Sequence, residues 1–173
     1  VLIFNQRSIE EILEVILTIG RIVSAEDKAQ KLVDGYKKRL DKFREKSDKI
    51  QNKPKVYFEE WDDPTFSGIR WVSELIEIAG GEDIFSNKSH GKLAMEREIQ
   101  LSEVIEKNPE VILASWCGKP VDIDAIKKRE GWAQISAVKN NRIHEIDSSI
   151  ILQPGPASLT EGLKVLESLI REQ

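Results

Sequence analysis

The amino-acid sequence predicts an α/β fold, a three-layer lobe with a central, mainly parallel sheet that is preceded by a long helix. From Lys55 onward, short apolar runs alternate with amphipathic segments, which is typical of parallel strands covered on both faces. Before Lys55, apolar residues recur at helical spacing over two segments. Hydrophobic residues make up 40% and charged residues 32% of the 173 residues, as in a globular protein.

Residues 1–23 predict a strand followed by a helix. The apolar run at residues 1–4 is typical of a buried strand. Because the sequence opens in that run, without Met or a signal peptide, we interpret it as a fragment or a processed piece. Ser8 and Glu11 have the spacing of a capping box, and Gly20 is predicted to end the helix.

A second, longer helix is predicted over residues 24–50. Ser24 is its expected cap, and 27 residues would make it roughly 40 Å long. Between Lys28 and Lys55 there are 11 Lys or Arg residues against 4 Asp or Glu residues. These charges alternate with apolar residues at helical spacing, and aromatic residues that could stack on bases are missing from the polar face. The basic segment therefore predicts a solvated helix face and no nucleic-acid partner.

The remaining elements follow in alternation. Gly and Pro residues separate them, and Asp122 and Ser158 are predicted to cap two of the helices. We expect residues 82–100 to be irregular. Strands are predicted at 56–59, 111–114 and 142–146, and helices at 68–79, 102–107, 122–129, 132–137 and from Ser158 to the end.

The sequence contains little that predicts catalysis. Cys117 follows a predicted strand, as in thioredoxin-like motifs, but Pro120 occupies the position of the second cysteine. A nucleophilic Cys117 activated by His90 or His144 is the alternative from the enzyme class. One cysteine and two separated histidines do not have the spacing of a metal site. We therefore expect a binding protein without catalytic residues, metal ligands or a cofactor.

A general acid and base is one interpretation of the adjacent acids Asp62 and Asp63. Neighbouring residues on a strand point to opposite faces, so the two carboxylates are not expected to flank one bond. We expect one of them to cap the turn before Pro64 while the other remains solvated. This interpretation again favours binding over catalysis.

Several short pieces of the chain, in this order and spacing, resemble the metal-chelate-binding, class III substrate-binding proteins of ABC importers. They are Glu60-Trp61-Asp62-Asp63-Pro64, Ala79-Gly80-Gly81, Asn108-Pro109, Gly131-Trp132, and Asp147 through Pro154-Gly155-Pro156. The resemblance covers the C-terminal lobe and the inter-lobe helix, and most of the N-terminal lobe is missing. It implies three parts: residues 1–23 end the N-terminal lobe, 24–54 form the linking helix, and 55–173 form the C-terminal α/β lobe.

The same resemblance implies a function. The chain would belong to an extracytoplasmic, membrane-anchored receptor that delivers a corrinoid to an ABC permease, with a ferric siderophore or haem as the alternative ligand. A lipid anchor would lie on the segment before Val1. The implied ligand wall comprises large aromatic and aliphatic side chains, which suit flat chelates. These side chains are Trp61, Phe66, Trp116, Ile150 and Leu152, with Ile151 between the last two.

We also have expectations for the remaining two tryptophans and for the acid that docks on the permease. Trp71 and Trp132 are expected in the core, and core packing is an equal alternative for Trp116. Relatives dock through an acid at the start of the helix before Asn-Pro; Ser102 occupies that position, so Glu103 is the expected docking residue. Gln153 also stands where many relatives carry Arg.

Overall fold

The structure is a computed structural model that describes residues 1–172. Two short 3₁₀ segments, Ala94–Arg97 and Trp132–Gln134, and one π-helical segment, Ser158–Gly162, accompany the regular elements. The helices are α1 (Ile9–Ile22), α2 (Glu26–Ser47), α3 (Arg70–Ala79), α4 (Leu101–Lys107), α5 (Ile123–Lys127), α6 (Ser136–Lys139), α7 (Ser148–Ile151) and α8 (Leu163–Arg171). The strands are β1 (Lys55–Asp62), β2 (Thr65–Ser67), β3 (Glu82–Asp83), β4 (Val111–Ala114) and β5 (Ile143–Glu145).

The strands form one mixed sheet in the order β2-β1-β4-β5. β1, β4 and β5 are parallel, and the short β3 pairs in parallel with the start of β1. β2 folds back on the end of β1 as an antiparallel hairpin. The predicted α/β fold with a mainly parallel sheet is therefore confirmed.

Two apolar clusters cover the two faces of the sheet. Alternate residues of β1 divide between them, because successive side chains of a strand point to opposite faces. Val56 and Phe58 join the cluster formed with α1, α2, α3 and α8, whereas Tyr57 joins the cluster that contains Trp132. Trp71 and Trp132 are buried in these clusters, with 5% and 0% of their surface exposed, as expected of core residues.

The first helix confirms its predicted cap but not its predicted end. Ser8 accepts a hydrogen bond from the Glu11 amide, and the Glu11 carboxylate accepts one from the Ser8 amide, which completes the capping box. Gly20 lies inside α1, where an added Cβ would stand 2.4 Å from the Cβ of Ala29. The glycine therefore allows α1 and α2 to pack closely and does not terminate the helix.

The second helix is shorter than predicted. α2 contains 22 residues, which corresponds to roughly 33 Å. Ser24 is not its cap: the residue has a φ of 53° in the turn before the helix, and Ala25 precedes α2 without a side-chain cap. Ala29, Val33 and Leu40 form the buried side of α2.

Three further predictions are wrong in detail. Residues 1–4 are not a strand; they run as an exposed coil, and within the described residues they pair with no strand. Ser158 is not a cap, since helical turns begin at Pro156 and the Ser158 hydroxyl donates to the carbonyl oxygen of Gly155. The predicted helix at 132–137 is two pieces, because the extended Ile135 separates the Trp132–Gln134 segment from α6.

The other boundaries agree within a few residues. Gly80, with a φ of 99°, ends α3, and Asp122 caps α5 by accepting from the Ala125 amide. The segment predicted to be irregular, residues 82–100, is only partly so: it contains the two-residue strand β3 and the 3₁₀ turn Ala94–Arg97, while residues 84–93 lack regular structure. None of the helices described here combines the length and the apolar character that crossing a bilayer would require.

Candidate functional site

The strands β1, β4 and β5 are parallel, so their C-terminal ends lie on the same side of the sheet. We call this side, where the three strands end, the carboxyl edge. The segments that leave this edge are residues 60–64, 115–121 and 146–155. Ligands of open α/β sheets bind outside the carboxyl ends of the strands, because side chains from several loops converge there. These three segments also contain most of the residues that the sequence singles out.

Trp61 is presented by the β1–β2 hairpin. The strand register shifts between Glu59 and Trp61, and beyond this irregularity Trp61 lies opposite Phe66. The indole Nε1 of Trp61 donates to the carbonyl oxygen of Asp63 at 3.0 Å, which fixes the ring against its own turn. Trp61 and Phe66 are both partly exposed, so both can contact a molecule at the edge.

Lys119 joins the hairpin to the loop that follows β4. Its Nζ lies 4.4 Å from the ring centroid of Trp61 and 4.9 Å from that of Trp116. The same ammonium donates to the carboxylate of Asp62 at 2.7 Å. An ammonium placed over two indole faces is attracted by their negative quadrupoles, and Asp62 supplies the formal counter-charge. The Trp61–Trp116 pair therefore encloses a cation supplied by the protein itself.

The ion pair changes the titration of Asp62. Partial desolvation opposes ionisation, but the hydrogen bond and the charge of Lys119, with backbone amides, outweigh it and lower the pKa of Asp62. The Asp62 carbonyl oxygen also accepts from the Thr65 hydroxyl at 2.8 Å. Asp63 is exposed, as expected of the solvated acid, whereas the Asp62 carboxylate pairs with Lys119, a contact that the sequence did not predict.

A buried carboxylate lies beneath Trp116. Glu59 is fully buried in β1 and accepts hydrogen bonds from the Tyr57 hydroxyl at 3.0 Å and from the Trp116 indole at 3.2 Å. Arg129 binds the same carboxylate with both terminal nitrogens, at 2.5 and 2.9 Å. Its guanidinium also lies 4.6 Å from the Trp132 ring centroid. Such a bidentate pair has a fixed geometry, so Glu59 holds Trp116 in one orientation.

Contact with Glu59 shifts the pKa values of its two titratable partners, Tyr57 and Arg129. Burial, reinforced by the negative Glu59, raises the pKa of Tyr57 well above its usual value, so the hydroxyl stays protonated and donates. Desolvation opposes the charge on Arg129, but the bonds to Glu59 outweigh it and raise the pKa of Arg129. Trp116 itself is buried, with 6% of its surface exposed, and in this arrangement most of its ring serves as packing.

A second ion pair fixes the hairpin. Arg97 is buried and contacts the Glu60 carboxylate with both terminal nitrogens at 2.8 Å. Glu60 also accepts from the Ile69 amide at 2.9 Å, and Arg97 donates to the Ser67 carbonyl oxygen. The contacts of Arg97 and Glu60 therefore hold the two strands of the hairpin that carries Trp61 in one conformation.

The loop after β5 approaches the edge from the other face of the sheet. Asp147 caps α7 by accepting from the Ser149 amide, and this bond lowers the pKa of Asp147. Ile151 is fully buried, and its carbonyl oxygen accepts from the Trp71 indole at 3.0 Å. Ile150 and Leu152 are partly buried against the cluster of α1, α2, α3 and α8.

Between these loops lies an open groove of about 570 Å³. It is lined by Trp116, Gly118, Lys119, Pro120, Glu145, Ile146, Asp147 and Ser148. Its volume falls within the range of small-molecule sites.

The structure thus brings Trp61, Trp116 and Phe66 to one side of the edge, in or beside the Tyr57–Trp132 cluster. Ile150 and Leu152 pack on the opposite cluster, so the expected ligand wall is divided between the two faces. Sequence reasoning missed Lys119 and Glu59. An acid inside the apolar run Val-Tyr-Phe-Glu is the signal that could have identified Glu59.

The residues of the enzymatic alternative do not converge. Cys117 is exposed in the loop after β4, whereas His144 lies on β5, where burial lowers its pKa. His90 belongs to the irregular segment after β3. Among the residues described, no group of His, Cys, Asp and Glu is arranged to hold a metal ion.

The Glu103 carboxylate is already hydrogen-bonded to other residues of the lobe. Its carboxylate accepts from the Gln100 amide and from the Lys88 ammonium, both at 2.9 Å. Partial desolvation opposes ionisation, but these bonds prevail and lower the pKa of Glu103. The side chain remains 34% exposed, and Ser102 beside it is exposed to solvent.

An open α/β lobe with aromatic side chains and a groove at the carboxyl edge defines a class: the ligand-binding lobes of small-molecule-binding proteins. The particular family follows from sequence comparison. The profile described as "Periplasmic binding protein" matches residues 1–150, and the chain belongs to this family.

Individual relatives agree with this assignment. The chain is 28% identical over 171 residues to the uncharacterized ABC transporter substrate-binding lipoprotein YvrC of Bacillus subtilis, covering 96% of this chain and 52% of the relative. It is 25% identical over 166 residues to the vitamin B12-binding protein of Vibrio parahaemolyticus, covering 92% and 56%. The chain thus spans about half the length of the curated relatives that it matches.

A solved structure supports the same fold. A possible iron-binding, periplasmic solute-binding protein from Staphylococcus epidermidis superposes with a TM-score of 0.81 and 27% sequence identity, covering 97% of this chain and 64% of that one.

Proposed function

We propose that this chain is the C-terminal lobe of an extracytoplasmic substrate-binding protein that delivers a corrinoid to an ABC importer. The observation that carries the proposal is the placement of Trp61 and Phe66, partly exposed, at the carboxyl edge. A flat macrocycle is bound mainly through broad aromatic contact, which these rings offer. The vitamin B12-binding relative from Vibrio parahaemolyticus supports a corrinoid.

A ferric siderophore or haem is the second candidate ligand. The protein from Staphylococcus epidermidis that is described as a possible iron-binding protein has the same fold at 27% identity, which supports this alternative. Both candidates use the same aromatic edge and differ in the chelate that it accepts. Neither requires a catalytic residue, and the exposed Cys117 has no role in either.

The proposed division of the chain rests on its resemblance to the two-lobed members of this family. Residues 1–23 would complete an N-terminal lobe, residues 24–54 would link the lobes, and residues 55–173 would form this half of the cleft. α1 and α2 pack on the lobe through Ile12, Val33 and Leu40, all of which are buried. A linking helix fixed to one lobe in this way favours limited hinge motion. The lipid anchor would belong to a segment preceding Val1.

Calorimetric titration of the natural full-length protein with cyanocobalamin, a ferric trihydroxamate and haemin tests the proposal. Tightest binding of cyanocobalamin supports the corrinoid, and tightest binding of either iron chelate supports the alternative. The 173-residue chain alone should bind weakly, because one wall of the cleft would be missing. Thiol-sensitive turnover of any substrate, without chelate binding, would support the enzymatic reading instead.

We also propose that Glu103 docks on the permease. A carboxylate in the first turn of a helix is favoured electrostatically and can pair bidentately with Arg. Lys88 and the Gln100 amide both bind Oε2 of Glu103. A bidentate pair with Arg needs both carboxylate oxygens, so the Lys88 bridge would have to open in the complex.

Uptake through the reconstituted permease tests this docking role. Glu103→Gln keeps a capping side chain and removes the charge, so it should impair uptake at unchanged ligand affinity. Glu106→Gln, an exposed acid later in the same helix, is the matched control. Normal uptake by the Glu103 variant would move the search to Glu98.

A further inference from the structure

The carboxyl edge carries more negative than positive charge. Asp62, Asp63, Glu145 and Asp147 lie on its three segments or at the end of β5, and all but Asp62 are exposed. Within the described residues 61–64, 115–121 and 145–149, Lys119 is the one basic residue. The neighbouring Glu60 is already neutralised by Arg97.

Three of these four acids keep their negative charge without a basic partner. Asp62 is neutralised by Lys119 at 2.7 Å. Glu145 accepts from the Val121 amide at 3.0 Å and Asp147 from the Ser149 amide at 2.8 Å. Backbone N–H groups stabilise a carboxylate without supplying a counter-charge. Glu145 and Asp147 therefore present uncompensated negative charge to the groove, and Asp63 adds a third such charge on the exposed turn of the hairpin.

The aromatic side of the carboxyl edge also favours positive charge. The Trp61–Trp116 pair and Asp62 hold an ammonium, that of Lys119, at 4.4 and 4.9 Å from the ring centroids. This arrangement is independent of the three uncompensated acids, and it is the geometry by which proteins bind organic cations.

We propose that this edge selects metal chelates by charge, favouring a positively charged periphery, accepting a neutral one and disfavouring peripheral carboxylates. This inference rests on the proposed function and narrows its ligand class. In water, one charge at about 8 Å from another changes affinity roughly twofold, so three carboxylates change it about tenfold. The effect decreases as salt shortens the screening length to ~8 Å at physiological ionic strength.

The test uses matched probes on one scaffold with the full-length protein. They are cyanocobalamin, its derivative with one peripheral amide hydrolysed to a carboxylate, and that derivative extended with ethylenediamine to carry an ammonium. The corresponding series on a ferric trihydroxamate covers the alternative ligand. At low salt we expect the ammonium form to bind about tenfold more tightly than the neutral form, and the carboxylate form about tenfold more weakly.

Charge removal from this lobe assigns the effect to its residues. The variant Asp63→Asn, Glu145→Gln, Asp147→Asn keeps hydrogen-bond acceptors at all three positions and should abolish most of the difference between the charged probes. Glu82→Gln, an exposed acid at the opposite end of the sheet opposite Lys55, should leave the difference intact.

The outcomes separate this inference from the proposed function. Tight binding of the neutral chelate without charge dependence, or charge dependence that survives in the triple variant, would overturn the charge selection alone. Failure of all corrinoid and ferric probes to bind would overturn the proposed function, and the charge selection with it.

Discussion

Removing Arg129 should destabilise the lobe far more than removing an exposed arginine. Arg129→Met leaves the fully buried Glu59 carboxylate with the Tyr57 hydroxyl and the Trp116 indole as neutral donors. A buried charge that loses its partner costs about 3–5 kcal/mol. Domains are stable by about 5–15 kcal/mol in total, so this single change removes a large fraction of the stability.

The assay is urea unfolding of the 173-residue chain at neutral pH, followed by tryptophan fluorescence. For a domain of this size the loss corresponds to a fall in Tm of roughly 6–20 °C. Arg44→Met is the matched control, because its bond to Asp41 is exposed and such pairs contribute about 0–1 kcal/mol.

A double variant identifies the cause. Glu59→Gln removes the buried charge; its amide oxygen still accepts from the Trp116 indole, and its NH2 group donates to the Tyr57 hydroxyl, which can accept. Glu59→Gln with Arg129→Met should therefore recover about 2 kcal/mol relative to Arg129→Met alone. A loss below about 1 kcal/mol in Arg129→Met, or equal losses in the single and double variants, would refute the role assigned to the pair.

Three other predictions follow from the structure. Trp61→Ala in the full-length protein should weaken chelate binding roughly five- to a hundredfold, as measured by calorimetry, and an unchanged affinity in a folded variant would return Trp61 to a packing role. Ile12→Ala, at a position 1% exposed, should cost about 2–5 kcal/mol in urea unfolding, whereas a loss below ~1 kcal/mol would separate α1 from the cooperative unit. The pKa of Asp62 is lowered on folding, so its pair with Lys119 contributes stability above the unfolded pKa that is lost as pH falls through the folded pKa. Between about pH 5 and 2 the wild type should therefore lose more stability than Asp62→Asn, and parallel curves would contradict this.

The fold could be predicted because its signals are local. The run from Val56 to Phe58, the Gly80-Gly81 turn and the Ser8–Glu11 spacing each encode one element through neighbouring residues. Predictions failed where tertiary packing overrides local pattern. Gly20 resembles a helix stop, but the close approach of Ala29 requires it inside α1.

The candidate site could be located from the sequence but not assembled. Trp61 comes at the C-terminal end of a predicted strand, and in an open α/β sheet ligands bind at the C-terminal ends of the strands. This holds whatever the order of the strands, so the sequence alone places Trp61 at the carboxyl edge. The contacts of Lys119 with Asp62, 57 positions earlier, depend on β1 and β4 being neighbours, which no local pattern encodes. The same holds for Glu59 and Arg129, which lie 70 positions apart.

A crystal structure of the full-length protein with cyanocobalamin would show whether this carboxyl edge is one wall of a chelate-binding cleft. We expect the corrin within about 4 Å of the Trp61 ring, beside the groove lined by Trp116 and Lys119. A corrin bound elsewhere, with Lys119 still enclosed by both tryptophans and no ligand atom in contact with Trp61, would contradict it.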